Sequence, residues 1–378
     1  MGDKMEDFKP GLEGIIATDT NVSFLDVDQE EIVIRGYDLI ELADKKTFPE
    51  VAYLVINGKL PNIKEIQDFE KILLDDSAFP EEAYKVLELC PDSSMLMDAI
   101  RTGISFLAGY NSESDLMDTS EKSNFTKGIR LIADVAVLTA NSHRILNGLK
   151  PVSPDSSKSF SENFITMITG KTPSDKEVEI FDKILTCYIE HEMPNSTFAA
   201  RIIGSTLSDI YGAFVGAIAS LKGPLHGGAN EAAMHMLLDI KSKGGHEIAD
   251  DYVMNRLNNK ERIMGFGHRV YMKKYDPRAF FLKDYIAELA PNIPDGEELH
   301  KIYKIVEEVM AREKGLYPNT DYPIALLFYL LEIPIPLYTP IFFASRTAGL
   351  VAHVIEQHNN NRLFRPRVLY TGPRGLKL

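Results

Sequence analysis

Cysteine is almost absent from this chain of 378 residues, which contains only Cys90 and Cys187. The two residues are far apart and carry no closely spaced signature of a metal site or of a reactive nucleophile. We expect both thiols to be reduced, buried and inert, as in a cytoplasmic protein.

An excess of positive charge is also missing. The chain has 41 lysines and arginines against 55 aspartates and glutamates, which gives a formal net charge of -14. Domains that bind nucleic acid usually carry a basic surface. Nucleic acid is therefore not expected as the main partner.

Membrane signals are lacking as well. The most apolar long segment, residues 202–221, contains Asp209 and many glycine, serine and alanine residues. This composition favours a buried helix that is packed closely through small side chains over a membrane span. The first seven residues are polar and lack the apolar core of a signal peptide. No membrane partner is predicted.

Strand signals are scarce, and helical periodicity dominates the sequence. Because strands and helices do not alternate, a parallel α/β sheet is not expected. The sequence predicts an all-α protein with a small N-terminal β-hairpin. The predicted strands are 22–27 and 31–35, and the clearest predicted helices are 129–146, 198–221, 229–238 and 297–310. The 129–146 helix is expected to be amphipathic, and Asp295 with Glu298 resembles a capping box for the 297–310 helix.

Two breaks suggest a two-domain organisation. The first is Lys222-Gly223-Pro224, and the second is the proline-rich stretch 333–336. We predict a large helical domain formed by residues 1–222 and 333–378, with a small helical domain, 223–332, inserted in it. The cleft between two such domains is a common place for a ligand site.

A local concentration of basic residues stands out on this acidic chain. Residues 256–278 contain seven basic side chains and only two acidic ones, and they include the sequence Gly265-Phe266-Gly267-His268. A local positive field suggests a bound small polyanion such as a phosphate-bearing cosubstrate. A solvated turn is the alternative, because a lone glycine-rich loop is weak support for a site.

Three histidines, His191, His226 and His268, lie in unusual local sequences. Glycines flank His226 and His268, and a histidine on such a turn can donate a hydrogen bond to a ligand carbonyl. Each of these two could equally be bonded to nearby backbone. The alternative for the His191 stretch is an ordinary helix start, with Ser196 or Thr197 as the N-cap.

Asp321 is the best candidate for a catalytic base, because the apolar run that follows it would desolvate the carboxylate. The alternative is that Asp321 only caps the next helix. Arg346 lies in an almost wholly apolar helix, and a buried guanidinium needs an anion. That anion could be a ligand carboxylate or a protein carboxylate. Histidine spacing does not support a metal site.

These candidate residues together suit acid–base chemistry on a small di- or tricarboxylate. The motifs 223–231, 265–278 and 317–322 resemble those of the citrate synthase family, in its short bacterial and archaeal form. The resemblance covers nearly the whole chain, from residues 11–14 through 99–103 to 365–367 and Gly372-Pro373.

The resemblance implies three catalytic residues. His226 would donate a hydrogen bond to the thioester carbonyl of acetyl-CoA, and Asp321 would remove a methyl proton. His268 would polarise and protonate the keto group of oxaloacetate. The family has no permanently bound cofactor and no metal, and acetyl-CoA is a cosubstrate.

The resemblance also implies binding residues and a partner. Its oxaloacetate ligands would be His191, Arg278, Arg346 and, from the other subunit of a homodimer with a shared active site, Arg365. Its CoA-binding stretch would comprise Arg262, Ile263, Met264, Gly265 and Phe266. Between His268 and Arg278 the chain is one residue longer than the commonest short form, which leaves a role for Lys273 or Lys274 open.

The resemblance predicts citrate formation from acetyl-CoA and oxaloacetate, in the cytoplasm. 2-Methylcitrate formation from propionyl-CoA is a close alternative, since both activities share every motif. After Asp321-Tyr322 many relatives have a small residue and a glycine where this chain has Pro323-Ile324, a difference that bears on acyl-chain preference. A non-catalytic carboxylate-binding protein and a metal hydrolase are more distant alternatives.

Overall fold

The computed structural model describes residues 8–75, 79–91, 95–267 and 275–377. Across these residues the fold is almost entirely helical, with one small antiparallel sheet, β1 (Ser23–Asp26), β2 (Glu31–Ile34) and β3 (Tyr37–Asp38). The predicted all-α class is confirmed. The helices are α1 (Leu39–Lys45), α2 (Phe48–Asn57), α3 (Ile63–Leu73), α4 (Glu82–Glu88), α5 (Leu96–Ala108), α6 (Glu113–Met117), α7 (Glu121–Leu146), α8 (Phe160–Thr169), α9 (Asp175–Tyr188), α10 (Asn195–Gly204), α11 (Ile210–Leu221), α12 (Ala229–Lys243), α13 (Ala249–Asn258), α14 (Pro277–Leu289), α15 (Gly296–Lys314), α16 (Asp321–Leu330) and α17 (Tyr338–Asn359).

The two predicted N-terminal strands are present and pair as a hairpin, with Leu25 opposite Ile32. The third strand, β3, was not predicted. Arg35 and Gly36 link it to β2, and both have a positive φ, 50° and 89°. Two central residues with positive φ are typical of the tight turn that joins paired strands.

Helix α7 differs from the sequence prediction in length and in character. It begins at Glu121, where the Ser120 side chain accepts from the Ser123 N–H, and it ends at Leu146 as predicted. Between residues 129 and 142 every side chain except Arg130 is buried, so the predicted amphipathic face is wrong for this stretch. A Cβ atom on Gly128 would lie 2.4 Å from Val351 of α17. A glycine therefore allows these two central helices to approach closely.

The predicted helix 198–221 is wrong, because two helices, α10 and α11, occupy this stretch. Asp209 ends the break between them, and its carboxylate accepts a 2.9 Å hydrogen bond from the Gly212 N–H at the start of α11. Apolar periodicity on both sides of the break concealed an N-cap aspartate that the sequence does contain.

Helix α15 buries the apolar face predicted for residues 297–310 and ends at Gly315, whose φ is 61°. The predicted capping box at its start is wrong. Asp295 makes no side-chain capping bond. Glu298 instead accepts from the backbone N–H of His246, at 2.7 Å, and lies 2.8 Å from its Nδ1 atom. A tertiary contact thus replaces the local one.

Helices α12 to α16 make many of their contacts with one another: α12 with α15 and α16, α13 with α15, and α14 with α16. The division into domains 1–222 with 333–378, and 223–332, stays a prediction. Among the described residues no helix has both the length and the apolar character needed to cross a membrane. Both cysteines are free thiols; Cys187 is buried as predicted, but Cys90 is partly exposed.

Candidate active site

Asp321 is the first residue of α16, and its carboxylate is bonded outside that helix. Oδ1 accepts a 2.8 Å hydrogen bond from the hydroxyl of Tyr188, at the end of α9. The alternative of a simple helix cap does not describe this contact. Burial raises the pKa of Asp321, although the Tyr188 hydroxyl and the positive charge of Arg278 oppose that rise. The result is a carboxylate more basic than an exposed aspartate and still stabilised when charged.

His226 lies on the tight turn between α11 and α12, where its own N–H donates to the Gly223 carbonyl at 2.9 Å. Its Nε2 atom is 3.2 Å from the backbone nitrogen of Ser196 and 3.0 Å from the Ser196 hydroxyl. A backbone N–H can only donate, so Nε2 accepts and Nδ1 carries the hydrogen. Burial, followed by the positive charge of Arg346, lowers the pKa of His226 to about 4. The ring is neutral at pH 7 and has one N–H to donate.

The start of α10 differs from the start that the sequence suggested as an alternative. Helix α10 begins at Asn195, directly after Pro194, and its N-cap makes no side-chain hydrogen bond. The alternative of an N-cap at Ser196 or Thr197 is wrong, because both residues lie inside α10, where Ser196 contacts His226. His191, which precedes α10, is buried, with 8% of its surface exposed.

Arg278, in the first turn of α14, forms a buried pair with Asp276. Its Nε and Nη2 atoms donate to the two Asp276 carboxylate oxygens at 3.0 and 2.8 Å. Asp276 also accepts from the N–H of Thr320, at 3.2 Å. This bond connects the start of α14 to Thr320, the residue before Asp321. Arg278 is therefore held beside the Asp321 carboxylate, where its positive charge opposes the rise in the pKa of Asp321.

Arg346 is buried in the middle of α17. Its Nε donates to the Tyr188 carbonyl at 2.7 Å, and its guanidinium lies 4.7 Å from the centre of the Phe342 ring. Within the described ranges it makes no direct ion pair with a carboxylate. Burial lowers the pKa of Arg346 to about 10, against the opposing charge of nearby Glu190. Glu190 is thus the protein carboxylate whose charge acts most strongly on Arg346, without a direct ion pair between them.

Glu190 is a residue that sequence reasoning missed. It is fully buried, and its Oε1 atom is 3.0 Å from both His353 Nε2 and the Ser23 hydroxyl. Burial alone would raise the pKa of Glu190, but His353, Arg346 and Ser23 together hold it below its usual value. A Cβ on Gly349 would lie 2.1 Å from its other oxygen, so a glycine opposite makes room for it. Its position one residue before His191 was the signal available in the sequence.

The glycine-rich loop lies beside the segment that leads to Asp321. Gly267 N–H donates to the Tyr317 carbonyl at 3.1 Å, and Asn319 N–H donates to the Gly265 carbonyl at 2.9 Å. Two motifs about fifty residues apart in sequence, 265–267 and 317–319, are therefore paired side by side. His268 directly follows Gly267 and, like Lys273 and Lys274, lies outside the described residues.

The predicted CoA-binding stretch is a loop that is buried in part. Arg262 is exposed, whereas Ile263 and Gly265 are buried. The Phe266 ring packs 4.5 Å from the ring of Tyr322. Arg365 is exposed on the C-terminal segment and donates to the carbonyl of its neighbour Pro366, so this chain does not bring it to its own site through any described contact.

Charge effects connect several of the predicted site residues. The charge of Arg346 acts on both His226 and Asp321, and the charge of Arg278 acts on both Asp321 and Arg346. These charge effects link the four residues, and Tyr188 is hydrogen-bonded to both Asp321 and Arg346. Three of them lie in segment 223–332, while Arg346 and Tyr188 lie in the remainder of the chain.

Comparison with known proteins identifies the family of this chain. A family model described as citrate synthase, C-terminal domain, matches residues 11–367. The chain belongs to the citrate synthase family. It is 50% identical over 375 residues to a citrate/2-methylcitrate synthase of Bacillus subtilis (strain 168), a match that covers 98% of each chain. It is also 50% identical over 371 residues to a citrate synthase of Heyndrickxia coagulans, again with 98% of each chain covered.

Family membership extends to the three-dimensional fold. The citrate synthase of Thermoplasma acidophilum, in a ternary complex with carboxymethyl coenzyme A and oxaloacetate, superimposes with a TM-score of 0.91. That match has 29% sequence identity and covers 98% of both chains. The resemblance found in the sequence is therefore confirmed for the family and for the fold.

Proposed function

We propose that this protein condenses acetyl-CoA with oxaloacetate and water to form citrate and free CoA. The observation that carries the proposal is a cluster of interacting side chains. The charges of two buried guanidinium groups, Arg278 and Arg346, act on the desolvated carboxylate of Asp321, and the charge of Arg346 also acts on the neutral imidazole of His226. Membership in a family of condensing transferases over nearly the whole chain supports it.

In the proposed first step, Asp321 removes a proton from the methyl group of acetyl-CoA. A thioester methyl group is a very weak carbon acid, so a base alone is not sufficient. His226 donates its Nδ1 hydrogen bond to the thioester carbonyl oxygen as negative charge develops there. The Nδ1 proton moves onto the oxygen as the methyl proton leaves, so an enol forms rather than a free enolate, and this proton returns to His226 when the enol carbon attacks.

In the second step, the enol carbon attacks the keto carbon of oxaloacetate. Arg278, Arg346 and His191 hold the oxaloacetate carboxylates, which orients the keto group for attack. His268 gives its proton to the keto oxygen as the carbon–carbon bond forms. Water then hydrolyses the citryl thioester, which releases citrate and the CoA thiol.

The remaining parts of the proposal concern CoA and closure. Residues 262–266 would contact the adenine end of CoA, and no permanently bound cofactor is needed. Segment 223–332 would close over oxaloacetate against the rest of the chain. Closure would exclude water until the carbon–carbon bond forms and so prevent wasteful hydrolysis of acetyl-CoA.

The test is release of free CoA thiol with oxaloacetate and either acetyl-CoA or propionyl-CoA, compared as kcat/KM. We expect the acetyl substrate to be preferred. The name of the Bacillus subtilis relative includes 2-methylcitrate, which makes a propionyl-CoA activity the second candidate. A strong propionyl preference would replace our first choice. Absence of thiol release with both substrates would favour a non-catalytic carboxylate-binding protein.

We also propose a cytoplasmic homodimer whose active sites are shared. Residues 361–377 contain no helix or strand, and the Leu363, Val368 and Tyr370 side chains in this segment are largely exposed. Apolar side chains exposed on one short segment are suited to contact with another chain. Arg365 lies in this segment and would reach the oxaloacetate site of the partner.

Subunit mixing tests the shared site. Arg365→Ala and Arg346→Met should each form weakly active homodimers. Co-expression should produce heterodimers with one intact site, and about a quarter of the normal activity should return if subunits pair at random. Arg374→Ala is the matched control, since Arg374 is on the same segment and packs on Tyr370; we expect it to be fully active. No recovery in the co-expressed pair would argue against a contribution from the partner.

A further inference from the structure

Tyr188 touches two parts of the proposed machinery at once. Its hydroxyl donates to Asp321 Oδ1 at 2.8 Å, and its backbone carbonyl accepts from Arg346 Nε at 2.7 Å. The base and a carboxylate-binding arginine are thus both bonded to a single residue. We propose that Tyr188 is a positioning residue, which fixes Asp321 relative to Arg346 and so places the base correctly for oxaloacetate-bound chemistry.

The direction of the hydroxyl bond follows from its neighbours. The Asn230 Oδ1 atom accepts from the backbone N–H of Glu231, at 2.7 Å, which leaves Nδ2 of Asn230 to face the Tyr188 hydroxyl at 3.5 Å. An amide nitrogen can only donate, so the Tyr188 oxygen accepts from it. The hydroxyl hydrogen is therefore directed to Asp321. Tyr188 stabilises the carboxylate form of Asp321 and transfers no proton to the substrate.

The tyrosine ring has little freedom to move. Tyr188 is completely buried, and its ring meets Phe342 edge-on, with 4.4 Å between ring centres. Phe342 also lies beneath the guanidinium of Arg346. The same aromatic pair therefore supports both the hydroxyl that holds Asp321 and the arginine. Such packing is what keeps a catalytic geometry within a fraction of an ångström.

The position of Tyr188 in the chain gives this contact a second role. Tyr188 ends α9, whereas Asp321 begins α16, so the hydrogen bond links the two segments proposed to move relative to each other. The base would gain its donor only when those segments are together. A base that is correctly held only in the closed arrangement would protect acetyl-CoA from premature deprotonation.

This inference rests on the proposed role of Asp321 as the base, and Tyr188→Phe tests it. The substitution removes only the hydroxyl, so we expect kcat to fall about tenfold, because a hydrogen bond to a charged group is lost. The KM for oxaloacetate should stay unchanged. The charged or titratable groups facing Asp321 in the described ranges are Tyr188, Arg278, Asp276 and Arg346. Loss of the Tyr188 hydrogen bond alone should raise the pKa of Asp321. The acid limb of the pH profile of kcat should therefore move to higher pH.

Two further variants provide a control and a second test at position 188. Tyr338→Phe is the matched control, because Tyr338 is buried and its hydroxyl has no hydrogen-bond partner in the described part of the chain; its acid limb should not move. Site-specific 3-fluorotyrosine at position 188 keeps the size but makes the hydroxyl a better donor. It should move the acid limb to lower pH, and this measurement serves even if Tyr188→Phe folds poorly.

An acid limb that stays in place in both Tyr188 variants, with kcat unchanged, would overturn the positioning role. Failure of the proposed function has a different signature. If Asp321→Asn keeps its full activity, Asp321 is not the base, whatever the Tyr188 variants do. If Asp321→Asn is inactive while the Tyr188 variants match the unmodified protein, only the inference about Tyr188 fails.

Discussion

Replacing Asp321 by asparagine should lower kcat for citrate formation by about 100-fold to 10,000-fold, the usual contribution of a positioned general base. Asparagine has the same shape and can still accept the hydrogen bond from the Tyr188 hydroxyl. Removal of the base should therefore leave the fold and the arginine side chains in place. Steady-state CoA release would measure kcat, and calorimetry should show that oxaloacetate still binds.

The matched control for this prediction is Asp182→Asn. Asp182 is a half-buried carboxylate on α9, and desolvation raises its pKa to about 6. Its oxygens accept from Ser161 and from the Phe48 N–H, away from the proposed site. We expect this variant to change thermal stability and to keep its kcat. An Asp321→Asn protein that turns over at the unmodified rate would refute the assignment of the base.

Replacing Arg346 by methionine should raise the KM for oxaloacetate by about 30-fold or more, since loss of one partner of a buried charge pair costs roughly 2–5 kcal/mol. The same substitution that weakens oxaloacetate binding should not destabilise the fold. Burial already lowers the pKa of Arg346 to about 10, which shows how strongly its charge is desolvated. A methionine of similar length avoids that desolvation, so we expect a Tm at least as high as that of the unmodified protein.

Steady-state kinetics and a thermal melt of the same preparation would measure both effects. Arg130→Met is a suitable control, because Arg130 pairs with Asp134 inside the protein. That variant leaves the Asp134 carboxylate buried without its partner, so its Tm should fall while the KM for oxaloacetate is unchanged. An Arg346→Met protein with normal KM and a lowered Tm would show that the guanidinium serves the fold instead of the substrate.

Helix positions were predictable where the signal is local. The stop of α7 after Leu146 and the stop of α15 at Gly315 follow from the composition of the last turn and from a residue with positive φ. The prediction failed at Asp209 because apolar periodicity continues on both sides of the break. It failed at Glu298 because a tertiary partner, His246, outcompetes the local capping bond.

Candidate residues were predictable for a similar reason. Asp321 and Arg346 are charged residues beside or within apolar sequence, where desolvation must matter whatever the fold. The family motifs added His226 and the binding residues. Glu190 and Tyr188 were missed, because a glutamate or tyrosine near the end of an amphipathic helix is not unusual. Their importance depends on what they contact.

The sequence by itself determined the helical class, the N-terminal hairpin, the family, and the residue types available for acid–base chemistry. The tertiary structure decided the pairings. Tyr188 meets Asp321 across 133 positions of sequence, and Ser196 meets His226 across 30. Periodicity and capping report on backbone geometry and burial within a few turns. The partner of a buried polar atom, and with it the pKa and tautomer of each side chain in the candidate site, depends on how distant helices pack together.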